Sequence, residues 1–243
     1  MNVAIQIELG KKKLLRFREL EELEKVFQPP IEEVLQKDYH LKGRWKSEVF
    51  RNDHPLILEL GCGKGEYTVG LARNNPHCNF MGIDIKGARI WTGARIALDE
   101  GLRNVAFLRT RIDFICSFFA NDEVEEIWIT FPDPQDRRRR QKKRLTGALF
   151  LNRYRQILKD NGVINLKSDN KLLYRYTLEL ARYNDLTIER NSDNIYQEGW
   201  KDEVVTIQTY YETRFLGEDS QINYLRFRLP ADREIKELPY DIR

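Results

Sequence analysis

The chain has 243 residues, 41% hydrophobic and 33% charged, with a formal net charge of +3. A chain of this length and composition buries one sizeable core, which excludes a disordered or fibrous protein and favours one domain with an extension. No apolar run approaches the roughly 18 residues of a membrane span, and the N-terminal segment puts its apolar residues before its basic ones, opposite to a signal peptide, so a cytoplasmic location and no membrane partner are expected. Cys62, Cys78 and Cys116 are odd in number and lack close-paired spacing, so neither a disulfide framework nor a zinc site is indicated and no metal is expected.

The charge is concentrated. From Arg137 to Arg144 every residue except Gln141 is basic, so the rest of the chain is net negative. A second cluster, "KKKLLRFR", spans Lys11 to Arg18. Focused positive patches on an otherwise acidic chain indicate sites for a polyanion.

In chain order, residues 1–54 form an N-terminal extension with weak periodicity, a break at Pro29 and Pro30, and short helices. Residues 55–230 change pattern. "LILEL" (Leu56 to Leu60), "NFMGIDI" (Asn79 to Ile85), "NVAFLRT" (Asn104 to Thr110), "VEEIWITF" (Val124 to Phe131) and "GVINLK" (Gly162 to Lys167) are short, apolar and rich in β-branched residues, as strands are. Segments of helical period such as "GEYTVGLARN" and "GARIWTGARIALDEG" separate them. This alternation predicts an α/β fold with a parallel sheet covered on both faces. "LTIERN" and "INYLRFRL" suit two further strands, with a Tyr-rich segment between them, and residues 231–243 are a C-terminal tail.

"LELGCGKGEY" sets Gly61, Gly63 and Gly65 between the first strand and a helix, where the backbone must turn sharply or let a ligand approach without meeting a Cβ. Glu66 stands where a dinucleotide loop needs its last glycine, and the loop lacks the G-K-[ST] of a P-loop. Asp84, at the end of the second strand, suits a carboxylate that accepts from ribose hydroxyls, a role shared by NAD enzymes and S-adenosylmethionine enzymes. Glu59 lies within an apolar strand, where an unpaired charge is costly and a cationic ligand group would relieve it.

Taken together, "ELGCGKGEY", "GIDI" and "FPDP" resemble a Rossmann-like S-adenosylmethionine-dependent methyltransferase of class I. With "KKRL" after "FPDP", then "KSDN" (Lys167 to Asn170) and "TYYETRF" (Thr209 to Phe215), the chain resembles the tRNA (guanine-N7)-methyltransferase family from about Leu41 to Leu229. The resemblance implies a seven-stranded, mostly parallel sheet with helices on both faces and an antiparallel last strand. It implies methyl transfer to N7 of a variable-loop guanine, guanine 46, with S-adenosylmethionine as cofactor and tRNA as partner; the alternative is another S-adenosylmethionine-dependent RNA or amine methyltransferase, and no obligate protein partner is evident from the sequence.

Carried over position by position, Glu59, the glycines Gly61, Gly63 and Gly65, and Asp84 match the cofactor side, and Asp133 matches the acid assigned to both cofactor contact and catalysis. A family acid aligns with Arg111, and Asp113 two residues later is the substitute for the adenine-side contact. Arg137 stands where the family has a lysine on the substrate, and Asp169, Thr209 and Glu212 match further substrate-side positions. The basic run, with Arg138, Arg139, Arg140, Lys142, Lys143 and Arg144, is expected to grip RNA phosphates close to Asp133. This chain departs from the family's "FPDPWPKKRH" at Gln135, Asp136 and Arg140, and so lacks the motif's Trp. Among the aromatics, Trp45 and Trp200 could stack on bases, and a core or packing role is expected of them at least as much.

Overall fold

In the computed structural model, residues 15–216 and 221–239 are described, without the side chains of Arg138, Phe215 and Leu216. Lys11 to Lys13 of the second basic cluster, and the last four residues of the tail, lie outside the described residues.

The apolar segments become strands because alternate residues enter two cores, one on each face of the sheet. Ile127 and Ile129 face one apolar cluster and Trp128 the other; Ala106 and Leu108 face the first and Phe107 the second. The strands are β1 (Val26–Phe27), β2 (Leu56–Leu60), β3 (Asn79–Asp84), β4 (Val105–Arg109), β5 (Val124–Thr130), β6 (Leu158–Ser168), β7 (Ile188–Ser192) and β8 (Asn223–Leu229). Their order across the sheet is β1-β4-β3-β2-β5-β6-β8-β7. All neighbouring pairs up to β6 are parallel, and β8 runs antiparallel to both β6 and β7.

Among the described residues the sheet therefore has eight strands rather than seven. The extra strand, β1, is two residues long, too short to show period-2 alternation before the prolines that follow it, and it exists because β4 offers an open edge. The residues around it are also part of the core. Trp45 is fully buried, donates through Nε1 to the carbonyl of Phe118 at 2.7 Å, and packs edge-on against Phe27 with ring centroids 5.1 Å apart. It packs the core and is not available to a base.

The principal helices are α1 over 15–22, α2 (Glu66–Asn74), α3 (Gly87–Asp99), α4 (Ile115–Phe118), α5 (Ala148–Tyr154), α6 (Lys171–Tyr183), α7 (Glu203–Thr206) and α8 (Tyr210–Leu216). Asn170 caps α6 by accepting from the Leu173 amide at 2.8 Å. Among the described residues no helix is long and apolar enough to cross a membrane.

This order fixes where a ligand belongs. β2 leads on to β3 on one side and β5 leads on to β6 on the other, so the chain leaves these two neighbours in opposite directions, and a crevice opens beyond their carboxyl ends.

Candidate functional site

The loop after β2 is shaped by its glycines. Gly61, Gly63 and Gly65 have φ of 75°, 56° and 72°, in the left-handed region that side chains disfavour. The amides of Gly61 and Cys62 both donate to the carbonyl of Ile83, at 2.8 and 3.0 Å, so the loop folds over the end of β3. A Cβ on Gly63 would meet nothing within 4 Å, which leaves that backbone open to a ligand. Gly65 serves packing, since its Cβ would lie 2.6 Å from Cε1 of Phe107. Its counterpart is Gly93 in α3, where a Cβ would lie 2.6 Å from the carbonyl oxygen of Lys64. Gly93 was not singled out from the sequence; a glycine in mid-helix, "WTGAR", was the available signal.

Asp84 accepts from the amide of Gly63 at 3.0 Å and from that of Lys86 at 2.7 Å, so its carboxylate is aimed by the loop it faces. Glu59 is buried under the same loop and is not without partners. Its carboxyl accepts from the Thr68 amide at 2.8 Å, from the Thr68 hydroxyl, and from the Thr130 hydroxyl at 2.5 Å. Burial nevertheless pushes it up to about 7, with those hydrogen bonds opposing the shift. A cation brought against it would favour the charged form, which is the service a ligand ammonium or sulfonium performs.

The chain leaves β5 through a strained bend. Phe131 and Gln135 have φ of 47° and 53°, unusual for residues with a Cβ. Between them Asp133 is exposed and accepts from the Gln135 amide at 3.0 Å. Arg144, expected to grip RNA, is buried instead: its Nε donates to the Pro134 carbonyl at 3.1 Å and its guanidinium lies 4.3 Å from the Tyr176 ring centre. The last residue of the basic run thus staples the Asp133 loop in place. Before it, Arg138–Lys143 forms a 3-10 helix on which Arg139, Arg140, Lys142 and Lys143 are exposed, as is Arg137 at its start.

The crevice has two halves that share Gly61, Arg89, Phe131, Pro132 and Asp133. One, of about 400 Å³, is lined by Asp84, Arg111, Asp113 and Lys143. The other, of about 350 Å³, is lined by Glu59, Gly63, Asp169, Thr209 and Tyr211. Asp113 is exposed and paired with Arg111 at 3.2 Å and Arg153 at 3.6 Å. Asp169 is half-buried, and burial raises its carboxyl above the usual range.

Glu212, also expected on the substrate side, points away from the crevice. It is fully buried and ion-paired with Lys167 at 2.7 Å, and it accepts from the Tyr196 hydroxyl at 2.6 Å. Lys167 further donates to the carbonyl of Ile207 at 3.1 Å. Burial lowers the Lys167 pKa, opposed by the Glu212 charge. The pair anchors the segment carrying Thr209 and Tyr211 to β6. Trp200 lies under the Arg190 guanidinium, 3.3 Å from the ring centre, and edge-on to Tyr224, so it too packs rather than waiting for a base.

Residues 53–225 match a family model described as "Putative methyltransferase". A tRNA (guanine-N(7)-)-methyltransferase of Christiangramia forsetii is 51% identical over 90% of this chain and 99% of its own length. One of Bacteroides thetaiotaomicron is 44% identical over 96% of this chain and 92% of its own. The chain belongs to the tRNA (guanine-N7)-methyltransferase family. The fold is similar to that of a solved 16S rRNA methyltransferase, KamB, with a TM-score of 0.59 and 15% identity over 81% of this chain and 98% of that one. It is the Rossmann-like fold of class I S-adenosylmethionine-dependent methyltransferases.

In this family member, the open backbone at Gly63, the aimed carboxylate of Asp84 and the buried carboxyl of Glu59 fit a ligand with ribose hydroxyls and a cationic end. Asp84→Ala is expected to weaken S-adenosylmethionine binding by about 1.5 to 3 kcal/mol, the scale of lost charge-assisted hydrogen bonds. Titration calorimetry on a folded variant checks it, and unchanged affinity removes Asp84 from the site.

Proposed function

We propose that this protein methylates N7 of a guanine in tRNA, at guanine 46 of the variable loop. The observation that carries this reading is the junction at Asp133: both halves of the crevice meet there, and the basic run continues from the same loop. The naming of the relatives supports the same substrate.

S-adenosylmethionine supplies an electrophilic methyl on a sulfonium. Glu59, Gly61, Gly63 and Asp84 hold the cofactor, with Asp113 on the adenine side. Guanine N7 presents a lone pair and no hydrogen, so the protein's task is to orient the base and support the positive charge that develops on it. Asp133 accepts from the donor edge of the base. Asp169 and Thr209, across the same half of the crevice, border the base. Phosphate contacts from the run set position, while recognition of the guanine falls to the crevice. Acting on tRNA, the protein works in the cytoplasm.

The test is incubation of tRNA with enzyme and S-adenosylmethionine, then nuclease digestion and mass spectrometry. 7-Methylguanosine is expected, lost when guanine 46 is replaced; a methyl group on an exocyclic nitrogen would overturn the reading. Replacing Arg139, Arg140 and Lys142, which line neither half of the crevice, with Gln should weaken tRNA binding and flatten its dependence on log salt by up to about 0.7 to 0.9 per lost phosphate contact. S-adenosylmethionine affinity should stay unchanged. An unaltered salt slope makes the run a bystander.

A further inference from the structure

The second basic cluster has no part in the site so far, yet the fold carries its described residues toward the crevice. α1 lies along α3 in the same direction. Phe17 sits against Gly87, where a Cβ would be 2.8 Å from its ring, and the Arg16 guanidinium lies 4.7 Å from the ring centre of Trp91. Glu19 accepts from Nε1 of Trp91 at 2.5 Å, and Leu23 reaches the cavity walled by Ala97, Leu98 and Gly101 at the far end of α3. The cationic turn of α1 is thus set beside the start of α3, with Glu19 on the same Trp91 as Arg16 and Glu24, beyond the helix, at the far cavity.

The start of α3 borders the crevice. Lys86 and Arg89 line the half that Lys143 also lines, and Arg89 lines both halves. Arg16, Arg18, Lys86 and Arg89 are all exposed, and none makes an ion pair among the described residues. Cations left unpaired around a concave opening concentrate polyanions there.

We propose that Arg16, Arg18, Lys86 and Arg89 form a second RNA-backbone site, facing the 137–144 run across the crevice. This rests on tRNA being the substrate. A strand gripped on both banks presents its base to Asp133 between them, and contacts to phosphate make the grip independent of sequence.

The experiment compares wild type with two variants. One replaces all four residues with Gln; the other is Arg16→Gln with Arg18→Gln, the two that line neither half of the crevice. Filter binding of tRNA across a salt series and calorimetry with S-adenosylmethionine are read for each. The expected result is a log-salt slope lowered by about 1.4 to 3.6 in the fourfold variant, for two to four lost contacts, and by about half that in the pair. Cofactor affinity is retained in the pair, which leaves the crevice lining intact. Unchanged slopes in both variants overturn the proposal, and so does a loss of cofactor affinity in the pair that parallels its loss of tRNA binding, which would assign Arg16 and Arg18 to the cofactor side. If wild type itself neither binds nor methylates tRNA, the substrate reading fails and this proposal with it. If wild type methylates N7 while the slopes are unmoved, only this proposal falls.

Discussion

Asp133→Asn should slow tRNA methylation by roughly two to three decades, the scale of removing one oriented electrostatic group from an active site. The substitution keeps the shape of the side chain, and Oδ1 can still accept from the Gln135 amide, so the bend between Phe131 and Gln135 is preserved. What changes is one acceptor become a donor, and a negative charge removed from beside a base that becomes cationic. Single-turnover rates with cofactor in excess measure the chemical step alone; a variant within a fewfold of wild type would make Asp133 a turn residue only. Because N7 carries no proton, wild type needs no general base titrating near neutrality, and its chemical step should be flat from about pH 6 to pH 8.5. Saturating cofactor matters here, since the Glu59 carboxyl is pushed up to about 7 by burial and would otherwise add its own pH dependence through binding. A rate rising tenfold per pH unit would instead point to an amine target that must lose a proton.

Lys167→Met carries the largest expected effect on stability. Removing one partner of a buried pair leaves the other charge uncompensated, at about 3 to 5 kcal/mol. For a chain of this size that lowers the melting temperature by about 6 to 20 °C. Adding Glu212→Leu removes the stranded carboxylate and should recover most of the loss, since an apolar replacement of similar volume is often neutral. Thermal melts of wild type, single and double variants decide it. A single variant melting with wild type would show that the pair is solvated rather than buried.

The residues legible in the sequence are those whose job is imposed by their immediate neighbours. Gly61 and Gly63 answer to backbone angles and Asp84 to the end of a strand, so each announces itself within a few positions, while Asp133 enters through the family motif "FPDP". Glu212 and Arg144 could not be read this way. Each lies in a polar stretch that looks solvated, and each is buried by a partner far along the chain: Glu212 by Lys167, 45 residues earlier, and Arg144 by the ring of Tyr176. Lys167 itself looked like the end of an apolar strand. β1 escaped notice because two residues carry no periodicity, and only β4 makes them a strand. The Asp133 loop was therefore visible, while the scaffold that holds it was not.

The placement of β1 bears on how the molecule avoids sticking to its own copies. β4 would otherwise be the outermost strand on that side, and it is apolar throughout most of its length. The amide of Phe107 donates instead to the carbonyl of Lys25 at 2.8 Å, and Val26 and Phe27 pair with Phe107 and Leu108. A chain cut back to residue 55 would keep every residue lining the crevice and still bare this ribbon of unpaired amides and carbonyls, a template for a neighbouring chain to add a strand. The short segment ahead of the glycine loop is thus a guard against fibre-like stacking, and its loss should show first as aggregation during refolding.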